Sequence, residues 1–170
     1  MAEVVVLESE TNAGIIAAAS IRALISQKAD AVLGLATGST PMSLYSALAD
    51  SLRQDPLDVS RVRGFALDEY VGLPSGHPES YRTVITRDAV LPLGLTPGNI
   101  RVPNGDLATL ETAGTDYEAA IRAAGGDVTK ISYSKQGHAS VALSLAWGFR
   151  WLAPTLDDTL KFFAKYDAIK

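Results

Sequence analysis

The sequence predicts an α/β fold in which an open, mostly parallel sheet carries helices on both faces. Two observations predict it. Short apolar runs at Val4–Leu7 and Ala31–Ala36 show no polar alternation, as expected of strands buried on both sides. Between and after them, apolar residues recur at helical spacing over stretches long enough to cross back over a sheet.

The elements follow in order. After a first strand at Val4–Leu7, Ser9 is placed to cap a helix whose stripe is Ala17, Ile21, Leu24 and Ile25. Ala31–Ala36 is the second strand. Pro41 then suits the first helical position, where its missing N–H costs nothing, and Leu44, Tyr45, Leu48 and Leu52 continue the stripe. A third strand is expected over Val62–Leu67, a loop through Gly72 to Gly76, and a helix from about Pro78. Asn99–Val102 reads as a short strand before a turn at Pro103-Asn104-Gly105. The next helix carries Tyr117, Ala120, Ile121 and Ala124 and stops at Gly125-Gly126. Beyond it, large residues alternate from Val141 to Trp151, the period of a strand, with a helix as the rival reading. Thr155 and Asp158 resemble a capping box ahead of a helical face made by Leu156, Leu160 and Phe163. Trp147 and Trp151 read as core rather than as a stacking platform, since no positive charge accompanies them.

Composition narrows the functional classes. The 170 residues are 47% apolar and 20% charged, enough to bury a core in one domain-sized chain. Fifteen basic against nineteen acidic residues leave a formal charge of −4 and no basic block, so nucleic acid is not an expected partner. The absence of cysteine excludes disulfides, thiolate metal ligands and a cysteine nucleophile, and fits the cytoplasm. Met1–Leu7 has no signal-peptide character, and no apolar run reaches the roughly 18 residues of a membrane span. The expectation is a soluble, cytoplasmic protein with no membrane partner.

Three segments can carry chemistry. The first is the loop after the second strand, where Gly38, Ser39 and Thr40 precede a helix. Its amides, its hydroxyls and the helix dipole converge on a point that favours an anion such as a phosphate monoester. On its own the segment reads equally as a small-residue turn in which Thr40 only caps the helix. It matches neither the Walker loop nor the dinucleotide glycine fingerprint.

In the second segment, Asp68 and Glu69 stand together at the expected carboxyl end of a strand. Neighbouring side chains on an extended chain point apart, so one carboxylate can enter a cleft while the other holds the loop. The first would serve as a base beside a carbonyl or imine. A solvated acidic turn is the alternative. The third segment is Gln136-Gly137-His138, whose histidine suits proton transfer near neutral pH or, equally, a surface or capping position. His77 is the only other histidine, and two histidines among scattered carboxylates give no metal-ligand spacing. No nucleophile elbow is present.

Together the motifs LGLATGSTP (33–41), LDEYVGLP (67–74), HPESY (77–81), PNG (103–105) and Tyr117-Glu118 resemble glucosamine-6-phosphate deaminases. These enzymes lie in the glucosamine-6-phosphate isomerase and 6-phosphogluconolactonase superfamily. The resemblance implies a Rossmann-like, three-layer fold and conversion of glucosamine 6-phosphate and water to fructose 6-phosphate and ammonia, with no cofactor and no metal. It implies that Gly38, Ser39 and Thr40 hold the sugar phosphate, that Asp68 carries a proton between C2 and C1, and that His138 assists ring opening. Family members are often oligomeric, which makes a homo-oligomer the candidate assembly.

The resemblance covers residues 1–126 of what is expected to be a single domain over 1–170, and residues 127–170 diverge. Ser132-Tyr133-Ser134 replaces a glycine turn, and Gln136 stands where the family has Asp or Asn. Leu143 stands where it has the ring-opening Glu, and Leu160 where it has a phosphate-binding Arg. The fold is therefore expected to be incomplete at its C-terminal end. Two alternatives stand beside the deaminase reading: a non-catalytic sugar-phosphate-binding homologue, and a 6-phosphogluconolactonase-type hydrolase.

Overall fold

A computed structural model describes residues 5–131, 133 and 154–164. The chain divides into one compact unit over Val6–Asp127 and another formed by Met1–Val5 with Val128–Lys170.

The first unit opens with α1 (Glu10–Gln27), capped as expected by the Ser9 hydroxyl, which accepts from the Asn12 N–H at 3.1 Å. Its buried line is Gly14, Ala18 and Ile25, whereas Leu24, expected on the stripe, is 42% exposed. Gly14 explains the shift. A Cβ there would lie 2.5 Å from the Ser43 carbonyl carbon, so this glycine lets α1 rest against the start of α2 (Met42–Gln54). Arg22 on α1 also pairs with Asp55 just past α2.

Three strands, β1 (Val32–Leu35), β2 (Arg63–Ala66) and β3 (Ile100–Arg101), form a parallel sheet in that order. Leu33 pairs with Gly64 and Leu35 with Ala66, while Gly64 also pairs with Ile100. All five are buried and share one face, which packs with Ile25, Leu48, Ile85 and Val90 of the helices. Gly64 is needed there, because a Cβ would meet side-chain carbons of Leu35 and Ile100 at 2.6 and 2.8 Å.

The opposite face corrects the expectation of strands buried on both sides. In β1 burial alternates, with Val32 40% exposed and Gly34 exposed. Over β2 that face is covered, since Phe65 meets Tyr117 of α5 (Leu110–Ala123) edge to face at 5.9 Å. Helices thus lie on both sides, but unevenly.

The expected first strand is also corrected. Val5–Leu7 are not in a strand, and Val6 is 90% exposed. An apolar run becomes a strand only with a ladder partner, and no described strand pairs with it. The helix expected from Pro78 begins three residues later as α3 (Tyr81–Ile85), because Ser80 supplies the cap, accepting from the Thr83 N–H at 3.2 Å. It runs through a wider π-helical turn (Thr86–Val90) into α4 (Leu91–Leu93), ended by Gly94 at φ 67°. At the end of α5, Gly125 (φ 86°) and Gly126 donate to the Arg122 and Ile121 carbonyls, the Schellman stop that the glycine pair predicted.

In the second unit, α6 (Thr155–Ala164) begins at Thr155, which therefore sits in the first turn rather than ahead of it. Asp158 accepts from the Tyr133 hydroxyl at 2.7 Å. Leu160 is 53% exposed. The expected strand from Val141 to Trp151 lies outside the described residues.

Candidate functional site

Parallel pairing of β1 with β2 carries both predicted segments to the same sheet edge. The chain leaves Leu35 into the Gly38–Thr40 loop and leaves its register partner Ala66 toward Asp68. Ligands in open parallel sheets bind at such carboxyl ends.

The loop is held from below by a core side chain. Tyr45, 5% exposed, donates its hydroxyl to the Ala36 carbonyl at 2.9 Å and accepts from the Ala36 N–H at 3.0 Å. Burial pushes the Tyr45 phenol pKa up, with the Ala36 bond acting the other way. Gly38 takes φ 88°, a left-handed conformation that side chains resist, and a Cβ there would meet nothing within 4 Å. Ser39 and Thr40 are exposed. Pro41 occupies the N-cap of α2 and no side chain caps the helix, so Thr40 does not serve as a cap. Thr40 is exposed and no side chain caps the amino end of α2, whose Met42 N–H donates to the Ser39 carbonyl at 3.1 Å; an amino end without a side-chain cap suits an anion.

Of the two adjacent carboxylates, one holds the loop, as the sequence expects of one of them. Glu69 holds the loop: its Oε1 accepts from the Tyr81 N–H at 2.8 Å and the Tyr70 N–H at 2.9 Å, and its Oε2 from the Arg82 N–H at 3.0 Å. It thereby ties the end of β2 to the start of α3. Asp68, half-buried, makes no hydrogen bond or ion pair among the described residues.

Three further side chains shape the edge and were not singled out as site residues from sequence. Tyr81 stacks on Tyr70 with ring centres 4.8 Å apart, and its hydroxyl lies 3.4 Å from that of Tyr70. The Tyr70 hydroxyl and, after it, partial burial push the Tyr81 phenol pKa up, with the Asp68 charge acting the same way. Tyr117 donates to the Ala66 carbonyl, two residues before Asp68. The signal for both tyrosines lay in the HPESY and Tyr117-Glu118 motifs, which name residues but not what they touch. Gly105 also belongs to the edge, because a Cβ there would fall 2.0 Å from the Tyr70 carbonyl oxygen.

Burial pushes the Tyr117 pKa up to about 12 from the ordinary 10. The unfolded chain ionises this phenol near pH 10 and the folded chain does so only near 12. The resulting stabilisation is whole below pH 10 and is lost as the pH rises through that window. Tyr117→Phe should remove this part of the alkaline destabilisation, as read by denaturant midpoints from pH 9 to 12.

A groove of about 510 Å³ opens between the 69–76 loop and the 103–107 turn, and another of about 870 Å³ runs between α1 and α2. Neither contains Asp68 or the Gly38–Thr40 loop. His138, Gln136 and Leu143 lie outside the described residues. Among the described residues there is no cluster of three metal-ligating side chains, and no helix is long and apolar enough to cross a membrane.

Comparison with known proteins bears on this edge. The chain is 48% identical over 147 residues to a glucosamine-6-phosphate deaminase of Bifidobacterium longum, covering 81% of this chain and 54% of that protein. It is 49% identical over 137 residues to that of an Arthrobacter species, covering 80% and 53%. It thus spans about half the length of the curated relatives it matches. Among solved structures, a monomeric glucosamine-6-phosphate deaminase superposes with a TM-score of 0.67 at 32% identity, over 71% of this chain and 50% of that one. A 6-phosphogluconolactonase from Thermotoga maritima shares the fold, with a TM-score of 0.56 at 23% identity over 69% and 52%. The family model for glucosamine-6-phosphate isomerases/6-phosphogluconolactonase matches residues 8–143, a span that includes both strand tips and the loops they carry. The chain belongs to that family.

Proposed function

We propose that this chain binds an amino-sugar phosphate and converts glucosamine 6-phosphate and water to fructose 6-phosphate and ammonia, a step of amino-sugar catabolism in the cytoplasm. One observation carries the reading: an unpartnered carboxylate and an open, uncapped anion loop leave neighbouring parallel strands at the same end. In the opened sugar, Asp68 takes the proton from C2, the C–H electron pair forms the C1–C2 double bond, and the C1 carbonyl π pair moves onto O1, which takes up a proton to give an enolamine. Returning the proton to C1 leaves an imine at C2, to which water adds before ammonia departs. Gly38, Ser39 and Thr40 hold the phosphate and so fix C2 against Asp68. His138, placed by the family resemblance, assists ring opening. The names of the relatives support the substrate, and their deaminase branch is favoured over the lactonase branch by the LDEYVGLP run.

Incubation of the pure protein with glucosamine 6-phosphate tests this, with fructose 6-phosphate and ammonia expected in equal amounts. Hydrolysis of a 6-phosphogluconolactone with no ammonia from the amino sugar would favour the lactonase reading. Binding without either reaction would favour a non-catalytic homologue.

A further inference from the structure

We propose that the Tyr45 hydroxyl is the positioning contact that pre-forms the anion loop, an inference that rests on reading Gly38, Ser39 and Thr40 as the phosphate site. Tyr45 is a core residue, 5% exposed and clustered with Leu35, Leu48 and Ala49. Packing there asks only for the ring, so the hydroxyl needs another reason. That reason is Ala36, the first residue past β1: the hydroxyl donates to its carbonyl at 2.9 Å and accepts from its N–H at 3.0 Å. The N–H lies in the peptide plane shared with Leu35 and the carbonyl in the plane shared with Thr37. One hydroxyl thus fixes both planes, and with them the backbone angles of Ala36.

The residue that is held stands at one end of the loop and the residue that holds it at the other. Tyr45 lies in the first turn of α2, where its own N–H donates to the Pro41 carbonyl at 2.9 Å. The Met42 N–H bonds the Ser39 carbonyl and so fixes the second half of the loop. Between these two holds lie Thr37 and Gly38, and a glycine at φ 88° has the most freedom to lose. Without the phenol the loop would sample conformations in which its amides do not converge, and a phosphate would have to offset the cost of ordering them. With it, that ordering is in place before the anion arrives. Tyr45 lies beneath the loop and acts on the anion through Ala36.

The test compares the wild type with Tyr45→Phe, which keeps the ring in the core, at a temperature where both are folded. Inorganic phosphate, titrated against the backbone amide NMR signals, should bind the variant about tenfold more weakly. The half-saturating concentration of glucosamine 6-phosphate should rise by a similar factor, while the rate at saturation stays within about threefold, because a bound phosphate orders the loop in either protein. A merely structural role would lower the unfolding midpoint and leave that split unmoved. Equal phosphate affinity, or a loss of saturated rate without a loss of affinity, overturns the positioning role while leaving the loop as the phosphate site. If phosphate leaves the Gly38, Ser39 and Thr40 amide signals of the wild type in place, the functional reading falls and this inference with it. A second measurement needs no variant to fold. Coupling is reciprocal, so saturating phosphate should slow hydrogen exchange of the Ala36 N–H in the wild type by at least about threefold. An unchanged exchange rate would make the loop and the hydroxyl bond independent and overturn the proposal.

Discussion

Asp68→Asn is expected to lower ammonia release from glucosamine 6-phosphate by about 10²–10⁴-fold, the range for removing a positioned general base, while leaving the unfolding midpoint unchanged. The amide fills the same volume but cannot accept the C2 proton. Stability should hold because Asp68 makes no hydrogen bond or ion pair among the described residues, so the substitution breaks nothing in the fold. Steady-state kinetics and thermal unfolding of the same preparation check both halves. A variant that kept its rate would remove Asp68 from the chemistry.

Glu69→Ala should do the reverse, destabilising the fold by about 2–4 kcal/mol in denaturant titration. Its carboxylate accepts three backbone N–H groups, two of them at the start of α3. Charge-assisted bonds of this kind contribute about 1.5–3 kcal/mol each, and water recovers part of that at a half-exposed site. Activity should fall too, because Tyr81 and the 69–76 loop lose their anchor. Glu69→Gln retains one acceptor oxygen and should restore part of the stability. Equal stability of Glu69→Ala and the wild type would contradict the role of this carboxylate as the anchor between β2 and α3. Two adjacent acids thus give different signatures, Asp68 in rate alone and Glu69 in stability with a loss of rate following from it.

Much of this edge was legible in the sequence because it is local. A glycine before a helix, two acids after an apolar run and a glycine pair after a helical stripe each act through backbone groups a few positions away. The turn after β1, the holding of a loop by one of the two acids and the Gly125-Gly126 stop are of this kind. What the sequence left open depends on partners distant along the chain. Val4–Leu7 had the residues of a strand, but the described sheet gives it no ladder. Nothing local to Gly14 says that it is where α1 meets Ser43. Tyr117 sat in a recognisable motif, but 51 residues separate it from Ala66, whose carbonyl its hydroxyl reaches. No periodicity encodes such a meeting. Burial of β1 was overestimated for the same reason: an apolar run does not say how evenly helices will cover its two faces.

A crystal of the protein soaked with glucosamine 6-phosphate tests the central claim most directly. The phosphate is expected on the amides and hydroxyls of Gly38, Ser39 and Thr40, with C2 of the sugar within about 3.5 Å of an Asp68 oxygen. A phosphate seated in the groove beside Arg82, or a sugar whose C2 lies beyond reach of Asp68, would contradict it.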